Sequence, residues 1–236
     1  MTWDQRELET KKTDISVLAI LAKNTYIDVM ATTRTRRWGA GKAAMVRHLY
    51  ATLQPAMQVD LAVHAGVSQP AVSQYLSSLR ENGDVSFEDP GWLANRDQLP
   101  ASYWQGYASR FVSQSCWYRI GAVNAQVDDL VERKPELIVS GDVAADAVRP
   151  WKVPVVAIVY GSVEDSAMDE LGFVRADTAA AATVLVRPVP DDSFVSDALD
   201  VRAMRVAAHL HLVADLIGLG GDDRLEAAVR FVSLGQ

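Results

Sequence analysis

The stretch Gln58–Leu79, QVDLAVHAGVSQPAVSQYLSSL, narrows the choice of fold more than any other part of the chain. Val59, Leu61, Ala62 and Ala65 put apolar groups on one side of a short helix. Gly66 follows where the chain must turn sharply, a place that favours a residue tolerant of positive φ. Ser68 then opens a second helix: its hydroxyl is suited to accept from a first-turn amide, and Pro70 loses no bond there because those amides have no helical partner. Val72, Leu76 and Leu79 recur at i, i+4 and i+7 as the buried stripe. The opposite face carries Gln69, Ser73, Gln74 and Ser77, uncharged side chains of the kind that read base edges in a major groove, with Gln suited to adenine.

Helix, glycine turn and helix, with the small Ala62 where the two touch, reads as a helix-turn-helix whose second helix, Ser68 to Asn82, is the recognition helix. A plain helical hairpin in a core is the bland alternative, and these spacings are more specific than amphipathicity alone. Asn82-Gly83-Asp84 is a turn signal, Val85-Ser86-Phe87 a short alternating strand, and Asp89-Pro90-Gly91 a second turn before Trp92-Leu93. Together these predict a winged helix-turn-helix over residues 41–94, with the amphipathic helix Ala43 to Thr52 as its first helix.

Charge supports a nucleic-acid reading of this region. Between Thr33 and Val85 there are six Arg or Lys against three acids, whereas the whole chain is −7 and the part from Ile120 onward has nineteen acids against ten bases. Phosphate contact depends on local rather than total charge. The residues expected to meet double-stranded DNA are therefore Arg34, Arg36, Arg37, Lys42 and Arg80 for the backbone, with Ser68, Gln69, Ser73, Gln74 and Ser77 for the bases. A solvated linker is the default reading of the basic run alone. Gly39-Ala40-Gly41-Lys42 fails as a phosphate-binding loop, because the spacing is short and Ala43 stands where a hydroxyl must reach magnesium.

Residues 1–40 read as a helical extension. Ile15, Leu18, Ala19 and Ala22 give one stripe ending near Asn24, and Thr25 to Thr33 fits either a strand or a continuing helix. Asn95 to Arg110 is expected as a connecting helix, and residues 111–236 as a second domain. In it, Phe111 to Ile120, Leu137 to Val139, Val153 to Tyr160 and Thr183 to Arg187 read as strands. Val123 to Val131, Asp142 to Val148, His209 to Leu219 and Arg224 to Val232 read as helices. Alternating strands and helices give an α/β class overall, mixed α+β.

The run Leu137 to Tyr160 (LIVSGDVAADAVRPWKVPVVAIVY), with Leu171-Gly172-Phe173, Ala182-Thr183-Val184 and His209 to Ala228 (HLHLVADLIGLGGDDRLEAA), is similar to the C-terminal domain of the AbiEi-like antitoxin family of type IV toxin-antitoxin systems. In that family a winged helix is joined to such a domain through a segment like NRDQLPASYWQGYASR. The resemblance covers roughly residues 42–233 and leaves the first forty residues unmatched. It implies a DNA-binding autorepressor, some members of which neutralise a nucleotidyltransferase toxin. The partner of the acidic second domain is accordingly expected to be a toxin protein or a second copy of the chain.

Other function classes fit less well. Tyr160-Gly161-Ser162 with Asp165, Asp169 and Glu170 faintly echoes a minimal nucleotidyltransferase, yet the two carboxylates that must converge on one metal from a strand face are missing. His209 and His211 diverge on a helix and are expected at the surface or a cap rather than on a metal. Ser140, Asp142 and His211 form a triad in composition only, and Asp142 reads as a helix-start residue. The lone Cys116 excludes an internal disulfide framework and fits a reducing cytoplasm. No apolar run approaches the roughly 20 residues of a membrane span. A protein-interaction module without DNA binding is the remaining rival. No enzymatic activity, cofactor or metal is expected.

Overall fold

The computed structural model describes residues 37–111 and 114–232. The helical extension over 1–36 and the expected phosphate contacts Arg34 and Arg36 lie outside the described residues.

The described residues open with three helices, α1 (Ala40–Ala51), α2 (Gln58–Ala65) and α3 (Gln69–Glu81), then an antiparallel hairpin, β1 (Val85–Glu88) and β2 (Gly91–Ala94). Gly66 closes α2 in the left-handed region (φ 62°, ψ 31°), and Ser68 Oγ accepts from the Ala71 amide at 3.4 Å with Pro70 in the first turn. Removing such a cap costs about 1 kcal/mol. Val72, Leu76 and Leu79 are fully buried, as are Leu61 and Leu49. Val59 departs from the expected stripe and is 42 % exposed. Gly41 has a packing role: a Cβ there would come within 2.5 Å of Val67 Cγ1, so α1 can lie this close to the α2–α3 turn only with glycine.

α4 (Leu99–Gly106) follows, shorter than the connecting helix expected. The Asn95 side chain accepts from the Asp97 and Gln98 amides (3.3 and 3.4 Å), which holds the chain in a turn ahead of it. A 3-10 turn, Ala108–Phe111, takes up the residues expected to end that helix.

The remainder is mixed α/β. Its elements are β3 (Ser115–Tyr118), α5 (Val123–Arg133), β4 (Ile138–Ser140), α6 (Gly141–Val148), β5 (Ala157–Tyr160), α7 (Asp165–Glu170), β6 (Val174–Arg175), β7 (Val184–Arg187), α8 (Asp192–Ser196), β8 (Leu199–Val201), β9 (Met204–Val206), α9 (His209–Leu219) and α10 (Asp222–Val232). The strands form one sheet in the order β6-β3-β7-β5-β4-β9-β8, with β5 parallel to β7 and β4 parallel to β9. Central strands β5 and β7 are buried on both faces, which is why they read as continuous apolar runs. Alternation divides them: Ala157, Val159, Val184 and Val186 join one core, Ile158, Tyr160 and Leu185 the other. The strand expected from Val153 starts only at Ala157. Pro154 has no amide, and the Val155 and Val156 amides donate to the Asp142 carboxylate instead of to a neighbouring strand.

α9 links the two parts of the chain. Leu210 and Ala214 pack among the N-terminal helices, Leu212, Val213 and Leu216 among the sheet and α10, and Leu219 reaches the opposite face of the sheet. A helix apolar on every side must be surrounded. Among the described residues no helix is long and apolar enough to cross a membrane.

A chain truncated after Arg110 loses Leu210 and Ala214 from the core of α1, α3 and α4. Such a fragment is expected to melt without a cooperative transition by circular dichroism. A sharp transition close to that of the full chain would mean the N-terminal helices are self-sufficient.

Candidate nucleic-acid interface and a buried polar chain

α3 presents two faces of opposite character. Gln69, Ser73, Gln74 and Ser77 are exposed, and none of their side chains has a hydrogen-bond partner among the described residues. Ser68 is exposed as well, but its oxygen is engaged by the Ala71 amide. Arg80, near the end of α3, is exposed and lies 5.8 Å from the Trp92 ring centre. Arg37 is exposed just before α1.

Lys42 differs from its expected role. It is 8 % exposed, donates to Ser78 Oγ at 2.9 Å and sits 4.5 Å from the Trp38 ring centre, so it ties α1 to α3. Arg47, counted in the basic run, is 2 % exposed and committed to acids of the second half. Among the described residues the positive charge of this region is therefore reduced at the surface to Arg37 and Arg80.

The hairpin beside α3 is not basic. Glu88 and Asp89 are exposed at its tip, and Phe87 is 54 % exposed with its ring against Trp92 (centroids 5.5 Å). Phe87, Met57, Val59 and Pro90 border a small cleft of about 370 Å³ that also touches Gln69.

Beneath this surface runs a chain of polar side chains that the sequence did not announce. Arg47 Nη1 donates to the Tyr103 hydroxyl (3.0 Å), which lies 2.9 Å from His211 Nδ1; His211 Nε2 lies 2.9 Å from the Tyr160 hydroxyl, which donates to Asp215 (3.0 Å). Asp215 also accepts from Ser140 (2.6 Å) and Arg187 Nη1 (2.8 Å). Counting protons fixes the directions. The Tyr160 proton goes to the carboxylate, so its oxygen accepts from His211 Nε2–H; Nδ1 then accepts from Tyr103, whose oxygen accepts from Arg47. His211 is thus a neutral imidazole protonated on Nε2. It is not at the surface as expected but fully buried, and burial pushes its pKa down to about 4. Burial likewise raises both tyrosines and keeps them as donors.

The far side of Arg47 is held by Asp197 (Nε–Oδ2, 2.6 Å), Ser193 (2.6 Å) and Asp191 (3.3 Å). Burial alone would lower this guanidinium, and the charge and hydrogen bonds of Tyr103, Asp197 and Asp191 hold it above its ordinary value. Asp197 also meets His64 of α2 (3.1 Å), whose ring stacks on His48 at 4.0 Å.

Of the three residues that resemble a triad by type, Ser140 and His211 belong to this chain, whereas Asp142 pairs with Arg224 (2.7 Å). Asp142 sits in the first turn of α6 as expected. Downstream of Gly161-Ser162, Asp165 is taken by Arg175 (2.7 Å) and Glu170 by Arg133. Among the described residues no three His, Cys, Asp or Glu are grouped as a metal site.

In comparisons with known proteins, no family model, curated protein or solved structure matches the chain. The antitoxin resemblance therefore rests on the residues quoted for it.

A group buried neutral makes folding pH-dependent with a definite sign. Between the ordinary histidine value of 6.5 and the folded value of about 4, the unfolded chain binds the proton that folded His211 refuses, so stability falls as pH drops through this window. Its share between pH 7 and 5 is about 2 kcal/mol. Urea unfolding at the two pH values is expected to show a smaller loss for His211→Gln than for the unaltered chain. Equal losses would place the titrating group elsewhere.

Proposed function

We propose that the protein is a sequence-specific DNA-binding transcriptional regulator, with α2, α3 and the β1–β2 hairpin acting as a winged helix-turn-helix and α3 as the reading helix. The observation that carries this is the outer face of α3, where Gln69, Ser73, Gln74 and Ser77 stand exposed without protein partners while Val72, Leu76 and Leu79 anchor the helix from behind. Side chains that both donate and accept, held on a rigid helix, are what base-edge readout requires. Arg37 and Arg80 supply backbone contact. The acidic tip of the hairpin would meet phosphates unfavourably, so the reading assigns specificity to α3 and keeps Glu88 and Asp89 out of a groove. A DNA-bound regulator works in the cytoplasm, and on the resemblance given above it represses its own operon as the antitoxin to a nucleotidyltransferase toxin.

One observation favours a second reading. Met57, Val59 and Phe87 are each about half exposed around a cleft, and the exposed acids Asp60, Glu88 and Asp89 adjoin its lining residues in sequence, a surface that suits a protein partner with basic and apolar groups. DNA titrations separate the two.

Gln74→Ala is expected to cost about 1–3 kcal/mol on the cognate duplex and to relax preference at one base position. Arg80→Ala should weaken cognate and scrambled duplexes alike and flatten the salt dependence. Fluorescence anisotropy with duplexes tiled across the gene's own promoter checks both. Binding that ignores sequence in the unaltered protein, or an equal loss on every duplex for Gln74→Ala, would overturn the reading.

A further inference from the structure

We propose that the chain carries a binding site for a small oxyanion, a carboxylate or a phosphate with an apolar body, at the end of the sheet where β5 and β7 finish. A cleft of about 550 Å³ opens there, lined by Gln114 and Ser115 at the start of β3, by Gly161 to Val163 after β5, and by Val186 to Val189 at the end of β7. β5 and β7 are parallel, and crevices outside the carboxyl ends of parallel strands are the places where α/β sheets receive ligands.

The chemistry of the lining selects the ligand. In an acidic chain, and in its more acidic half, no carboxylate among the described residues lines this cleft, while one guanidinium does. Arg187 is 5 % exposed. Its Nε donates to Gln114 Oε1 (3.1 Å) and its Nη1 to Asp215 and Tyr160; Nη2 has no partner among the described residues. An arginine whose Nε and Nη1 are held by protein partners, with Nη2 unpaired among the described residues, is a preoriented cationic donor for an oxyanion. The Gln114 side-chain nitrogen and the Ser162 hydroxyl add donors with no partner among the described residues. Glu164, the acid next to this loop, is drawn off by Lys134, whose ammonium also reaches the Ser162 carbonyl at 3.3 Å.

Glycine fixes the course of the loop past the core. Gly161 has φ 148°, which side chains rarely adopt, and a Cβ there would lie 2.4 Å from Leu137 Cδ2. Val163, Val186, Pro188 and Val189 supply apolar walls, so the ligand carries a non-polar portion beside its anionic head. The site is separate from the outer face of α3 and stands whether or not the protein binds DNA.

The test is a titration of the full ¹⁵N-labelled chain with sodium phosphate in one arm and sodium butyrate in the other, against sodium chloride at matched ionic strength. Saturable shifts at the Gln114, Gly161, Ser162 and Val163 amides are expected in at least one arm, and the tighter arm identifies the head group. Ser162 and Val189 are surface positions, so their variants leave the Arg187–Asp215 pair intact. Ser162→Glu should weaken binding about fivefold and Val189→Lys strengthen it by a similar factor, as a charge placed at the mouth requires. Absence of saturable shifts in both arms, or affinities unchanged in both variants, overturns the proposal.

Discussion

The burial of Arg47 is the constraint around which the molecule is arranged. A guanidinium removed from water must be met by acceptors and opposite charge, since an isolated buried charge costs many kcal/mol. α1 supplies none of these. They come from α4, through Tyr103, and from the segment around α8, through Asp191, Ser193 and Asp197, as many as 150 residues along the chain. Satisfying Arg47 therefore fixes the position of the sheet against the helices. Tyr103 passes the requirement to His211, His211 to Tyr160, and Tyr160 to Asp215, where Arg187 ends the series with a second buried cation. The three groups between Arg47 and Asp215 are neutral, and each of the two tyrosine hydroxyls both gives and receives. Such a series orients its members jointly, which specifies one relative placement of the two halves in a way that apolar packing around α9 alone does not.

That arrangement separates two tasks. The polar groups that hold the protein together are inward and paired, whereas those on the outer face of α3 are outward and unpaired. Uncharged Gln and Ser tolerate hydration without a partner, so the face can remain vacant at little cost. A charged face of the same extent would attract every polyanion. Lys42 and Arg47 are drawn inside, so among the described residues of this region their charge serves the fold rather than the surface.

Local features were legible in the sequence. Gly66, the Ser68 cap and the Val72, Leu76, Leu79 stripe follow from dihedral preference and a period of 3.6, which act over a few residues. Strands β5 and β7 show instead as continuous apolar runs, and β5 begins at Ala157 rather than Val153. β6, β8, β9, α7 and α8 were not, because pieces of two to six residues show no period. Charge was misread for a physical cause: counting Lys42 and Arg47 as surface cations assumes hydration, and only the tertiary structure reveals what encloses them. His211 reads as a surface or capping residue because side chains two apart diverge on a helix. The clue available was its place between Leu210 and Leu212, four residues before Asp215, in a helix apolar on every side. Arg187 gave a comparable hint by ending a run of buried β-branched and aliphatic residues with a cation.

The shared helix α9 bears on the order in which the protein can be made. Tyr103 and His211 are 108 residues apart, and a ribosome adding about 5–20 residues per second needs roughly 5–20 s to span them. Through that interval the N-terminal helices have emerged while Leu210, Ala214 and the acceptors of Arg47 have not. The face that α9 will cover is apolar and, around Arg47, cationic, so the nascent chain passes through a stage in which it is most exposed to chaperones and to unintended partners. Maturation of the N-terminal helices is tied to α9, and a ribosome that stops before it releases helices whose shared core lacks Leu210 and Ala214.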